Sequence, residues 1–269
     1  MSIKDLAEKT FSKDLTDVSN IRDAFDFCKR LELENFDEAH RYIKTVQNIS
    51  GKCAKSQNNS IMYEIYKRSI LFDAPYTFDA YLRYMEWNRD PDKRFYIPRR
   101  SQLKQVVEAM QDLEERKIEL LAVSMPPGTG KSTLALFYLT WLAVKHPEKP
   151  ILTGSHANAF LNGAYQECLR MMDKDGDYLW HDVFPEMNVI GTNAKDMLID
   201  VGKSKKDAKR FATLEFSSVG SGNAGKVRAE QLLYCDDLIP DLETALSADR
   251  LEKLWQQYTT DLRQRKIGD

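Results

Sequence analysis

A lysine and a hydroxyl residue set directly behind glycines are the groups a polyphosphate needs. One run supplies them: Met125-Pro126-Pro127-Gly128-Thr129-Gly130-Lys131-Ser132-Thr133. Glycines let backbone N–H groups turn inward around an anion, and a helix opening behind them points its positive end at the same place. Lys131 is placed to reach the β- and γ-phosphates of a nucleotide and Ser132 to put its hydroxyl on Mg²⁺, with Pro127 to Thr133 as the nucleotide-binding stretch. The first glycine of the usual G-x-x-x-x-G-K-[ST] pattern falls on Met125. Methionine does not take positive φ cheaply, so Pro126 and Pro127 are expected to bring the chain in stiff and extended.

A second run, Gln231-Leu232-Leu233-Tyr234-Cys235-Asp236-Asp237, reads as an apolar strand ending in two acids. Asp236 is expected to hold Mg²⁺ through its water shell, and Asp237 to orient or deprotonate the attacking water. Many such enzymes carry Glu in that second place. Asp is one methylene shorter, so the water must sit closer or the strand must shift. Arg228 and Lys226 lie just before this strand, and either is placed to stabilise charge on the transferred phosphoryl group, in cis or from a neighbouring subunit. A surface salt bridge explains Arg228 equally well. Upstream of the loop, Tyr96, Arg99 and Gln102 are candidate adenine contacts, although a helix capped by Ser101 and running over residues 102–115 accounts for the same residues.

The elements that must position these groups alternate. Residues 118–123 read as a buried strand, 132–145 as a helix, 151–153 as a strand and 155–172 as a helix with Leu161, Ala164 and Cys168 on one face. Residues 198–201 and 211–219 read as strands around a basic stretch, 202–210, that reads as a hairpin tip or a nucleic-acid phosphate contact. Residues 220–226 read as a second glycine-containing loop. Ser247 is expected to cap a final helix carrying Leu251, Leu254, Trp255, Tyr258 and Leu262. Successive β-α units argue for an α/β fold with a mostly parallel sheet and helices on its faces, a P-loop NTPase of the additional strand–helix, RecA-like type.

Residues 1–93 read as a small all-helical N-terminal domain, with Asn20 or Ser19 capping an early helix, a polar loop over 51–60 and an aromatic-rich segment over 77–87 that reads as core or as a docking face for a partner. Asp90-Pro91-Asp92 is a turn and the expected boundary to a motor domain over 94–269. The 269 residues carry a formal net charge of −2, which excludes a global basic field; nucleic acid must be met by local patches. The 4 cysteines, Cys28, Cys53, Cys168 and Cys235, form no CxxC pair, which argues against a zinc site or disulfide framework and fits a reducing cytosol. The first residues, Met1-Ser2-Ile3-Lys4-Asp5, lead into no apolar core, so no signal peptide is expected, and no uninterrupted apolar run in the sequence is long enough to predict a membrane span.

With both motifs in hand, residues 95–269 resemble the ATPase half of a large terminase subunit of a tailed bacteriophage. The resemblance is carried by Pro98-Arg99-Arg100, by Ser124-Met125-Pro126-Pro127 leading into Gly130-Lys131-Ser132, by Gly225 ahead of Asp236-Asp237, and by Glu243-Thr244-Ala245-Leu246-Ser247 followed by the Trp255 helix ending in Arg263. It implies an ATP- and Mg²⁺-dependent motor that drives double-stranded DNA into a procapsid. The implied partners are the portal protein and the small terminase subunit, with a homo-oligomeric ring on the portal, in the cytoplasm of an infected host. Family members often carry a basic residue where this chain has Gly128 and Thr129, and an Arg where it has Ala224. Arg228 is the substitute candidate for the arginine finger. Members continue with a coupling strand and a ribonuclease-H-like nuclease domain. Neither is found in these residues, so a fragment with weak hydrolysis and no nuclease activity is expected. The alternatives are a helicase, an AAA+ remodelling factor, which would keep the first glycine and add a helical lid, and a non-catalytic nucleotide-binding module.

Overall fold

The computed structural model describes residues 3–218 and 228–266. The loop 220–226, with Ala224, Gly225 and Lys226, therefore lies outside the described residues. The chain divides into two compact units, Met1–Tyr84 and Met85–Asp269. The division falls earlier than the Asp90-Pro91-Asp92 turn because residues 85–95 fold onto the second unit. The buried Glu86 carboxylate accepts from the backbone N–H of Phe95 and Tyr96 at 2.9 Å, and Arg94 donates to the Trp87 carbonyl at 2.7 Å.

Among its described residues the first unit is helical: α1 (Ile3–Phe11), α2 (Val18–Leu31), α3 (Phe36–Ser56), α4 (Ser60–Asp73) and α5 (Phe78–Met85), the last ending at the boundary. Short Asx residues start the helices. Asp17 caps α2, in place of the expected Ser19 or Asn20, by accepting from the N–H groups of both. Asn35 caps α3 and Asn59 caps α4. The core is the apolar stripe of α2, α3 and α4, with Ile21, Ala24, Cys28, Ile43, Val46 and Met62 buried. The expected loop over 51–60 is largely helix, since α3 runs through Gly51. A glycine there costs about 1 kcal/mol of helix propensity. Its use is close approach, because a Cβ on Gly51 would lie 2.8 Å from the Tyr66 ring of α4. Beside this core, His40 holds a carboxylate at each ring nitrogen, Asp73 at 2.7 Å and Glu32 at 3.0 Å. Burial pulls its pKa down, but the two carboxylates outweigh that and leave it raised.

The second unit opens with α6 (Tyr96–Glu114), α7 (Lys131–Lys145) and β1 (Ile151–Ser155), continues with α8 (Asn158–Met171), α9 (Trp180–Val183), β2 (Asn188–Asn193), β3 (Leu198–Gly202), β4 (Leu214–Ser218) and β5 (Leu232–Cys235), and closes with α10 (Leu242–Leu246) and α11 (Ala248–Gln257). The sheet order is β2-β3-β4-β1-β5. The strands β4, β1 and β5 run parallel, while β2, β3 and β4 pair antiparallel. The sheet is thus mixed where a mostly parallel one was expected. The reason is the β2–β3 hairpin, whose first strand is too polar to stand out. β1 is buried along its whole length, as the middle strand of a parallel set must be. α7 is apolar on all sides and buried from Leu134 to Ala143, and α8 packs on β1 and β4.

Two local expectations are corrected. Residues 118–123 pair with no strand among the described residues, and Leu120 is 84% exposed, so the apolar run ahead of the glycine loop is not a buried strand. α6 starts at Tyr96, well before Ser101, with Pro98 in its first turn, where a missing N–H costs nothing. α11 buries no residue, and Trp255 is half exposed, whereas Leu262 is fully buried against the bare Cα of Gly154. Ser247 does cap α11, accepting from the Arg250 N–H at 3.4 Å. No helix among the described residues is long and apolar enough to cross a membrane.

Glu215 on β4 gives the second unit a pH dependence. Burial pushes its carboxyl up to about 7, partly opposed by the nearby Arg265. The unfolded chain releases this proton near the ordinary carboxylate range and the folded chain near 7, so stability falls as pH rises through that window. Glu215→Gln is expected to be more stable than the parent by about 2 kcal/mol at pH 8, with the gain gone at pH 4. Urea denaturation at both pH values measures it.

Candidate nucleotide site

The glycine loop has the backbone that its residues predict. Gly128 and Gly130 sit at φ 79° and 91°, the left-handed region that favours glycine. Between them Thr129 folds back, its hydroxyl donating to the Pro126 carbonyl at 2.8 Å. Gly130 is also a contact. A Cβ there would fall 2.2 Å from the Phe95 ring, which stacks on Phe137 of α7 at 5.9 Å. The Arg99 guanidinium lies 5.4 Å from the centre of the same Phe95 ring. Residues 125–133 with Phe95 and Arg99 line a cavity of about 520 Å³.

The acidic run reaches the loop because β5 ends there. Lys131 donates to Asp236 at 2.9 Å, and Ser132 donates to the other carboxylate oxygen at 2.6 Å. Tyr234 donates to that second oxygen at 2.8 Å. Burial alone would raise the pKa of Asp236, but the hydrogen bonds from Ser132, Lys131 and Tyr234 outweigh it and hold the carboxyl below its ordinary value. Asp237 follows in a left-handed conformation, φ 51°, with its carboxylate 70% exposed. The Ser132 hydroxyl and the Asp236 carboxylate are hard oxygen donors in contact, the set that Mg²⁺ takes alongside water and phosphate. The donors therefore fit Mg²⁺, whose contribution when bound is to offset phosphate charge.

The other candidates separate. Arg99 lines the loop cavity. Tyr96 is fully buried, so its ring offers no face to a base, and Gln102 is exposed and absent from the cavity lining. Arg228 stands before the amino end of β5, 3.8 Å from Glu230 and over the Phe211 ring, whereas Asp236 follows the carboxyl end. The length of β5 thus lies between Arg228 and Asp236 along the chain. Three neighbours of the site were not singled out from the sequence. Tyr234 was legible, because residues two apart share a strand face with Asp236. Phe95 was legible only through its spacing of four from Arg99. His156 needed the strand order, which places the ends of β1 and β5 side by side.

In sequence the chain is similar to the lipoprotein-releasing system ATP-binding protein LolD of Granulibacter bethesdensis, 30% identical over 109 residues. The match covers 40% of this chain and 46% of that protein, so it spans less than half of the relative's length. No known family profile matches the chain, and no solved structure does. A mixed five-stranded sheet flanked by helices is compatible with a P-loop nucleotide-triphosphatase fold, and the similarity supports a nucleotide-binding ATPase in general terms.

Proposed function

We propose that the protein is the ATP-hydrolysing motor domain of a phage large terminase, driving double-stranded DNA into a procapsid. The observation that carries the ATPase reading is the convergence of Lys131 and Ser132 on Asp236, with Asp237 exposed beside them. The finer reading is supported by the sequence resemblance over residues 95–269. Lys131 grips the β- and γ-phosphates, Ser132 and Asp236 hold Mg²⁺, and Asp237 orients or deprotonates the attacking water. Arg228 enters this reading only from a neighbouring subunit of a ring. Portal protein and small subunit are the expected partners.

Lys131→Ala is expected to lower ATP turnover by about 10²–10³-fold. A packaging assay with purified portal-bearing procapsids should fail with the same variant. Hydrolysis stimulated by duplex DNA without strand separation supports the motor; strand separation would point to a helicase, and nucleotide binding without turnover to a non-catalytic module.

A further inference from the structure

β1 and β5 are parallel neighbours, with Gly154 opposite Cys235, so their carboxyl ends emerge together. The Asp236 N–H donates to the Gly154 carbonyl at 3.0 Å, continuing the ladder one residue past β5. Beyond it, one acceptor collects three donors. The Asp237 carbonyl receives the His156 N–H at 3.3 Å, the Ser155 hydroxyl at 3.5 Å and the Nδ1–H of the His156 ring. That last bond requires the proton on Nδ1. The residue so held has φ 51°, a conformation that Asp reaches at a cost and keeps only when its surroundings hold it. The His156 ring lies largely covered, while the Asp237 carboxylate is exposed. The ring thus holds the backbone of Asp237, with the exposed carboxylate 3.9 Å from Nδ1.

We propose that His156 is a positioning residue for the reaction. Its Nδ1–H holds the left-handed turn that fixes where the Asp237 carboxylate meets the attacking water. This rests on the ATPase reading and on the role of Asp237 within it. His156 acts through Asp237 and need not touch nucleotide. Asn places an amide N–H close to where Nδ1–H stands, so it is the conservative replacement.

The test is steady-state ATP hydrolysis by the full chain. His156→Ala is expected to lower kcat by about 10- to 100-fold with KM for ATP little changed, because a small misplacement of a reacting group is costly. His156→Asn should recover most of that loss. In an Asp237→Ala background, His156→Ala should cost nothing further, since residues acting as one unit are non-additive. Three results would each overturn the proposal: an unchanged kcat in His156→Ala, no recovery in His156→Asn, or a full additional loss in the double variant. If the parent hydrolyses ATP and Lys131→Ala does not, such a result removes His156 alone. If the parent shows no turnover, the ATPase reading and this proposal fail together.

Discussion

Glu86→Ala is expected to destabilise the second unit by about 3–5 kcal/mol, a large part of a domain's stability. The carboxylate is fully buried and pairs with Arg89 at 2.8 Å while accepting from the N–H groups of Phe95 and Tyr96 at the start of α6. Alanine leaves a buried guanidinium without its acid and a helix start without its acceptor, and both penalties fall on the mutant. Glu86→Gln keeps an acceptor of the same shape and should cost less. Urea denaturation followed by tryptophan fluorescence distinguishes the two. The same change should weaken nucleotide binding, because the Glu86 contacts fix Phe95, whose ring meets Gly130.

The two left-handed glycines of the loop should respond unequally to a methyl group. Gly130→Ala places a Cβ 2.2 Å from the Phe95 ring at φ 91°. Gly128→Ala meets nothing within 4 Å, although its φ is 79°. The first therefore adds a collision to a backbone strain of about 1–2 kcal/mol, and the second adds the strain alone. ATP affinity should fall about 100-fold or more for Gly130→Ala and about tenfold for Gly128→Ala, given about 1.4 kcal/mol per decade. Titration with a fluorescent ATP analogue reads both. Equal losses would mean that the Phe95 contact has no bearing on binding.

Much of this site could be read before any coordinates. Gly-Lys-Ser and the paired acids declare themselves because phosphate chemistry restricts which residues can serve, and α7, β1, β3 and β5 fall close to where apolar periodicity puts them. What escaped depends on distant neighbours. Gly51 looks like a loop residue until the Tyr66 ring is seen across from it. Ser101 looks like a helix cap until a buried acid from an earlier segment takes that office. Residues 118–123 carry the pattern of a buried strand, but pattern alone supplies no pairing partner. Tyr96 and Gln102 illustrate the same limit, since adjacency in the chain does not say which face of α6 each occupies.

The contact between Lys131 and Asp236 has a consequence for how the site fills. One ammonium group cannot serve a carboxylate and a triphosphate at full strength together, so an arriving nucleotide competes for a lysine already engaged. Loading is then an exchange of counter-charges, and part of the attraction toward the phosphates is spent on separating a pair that was already content.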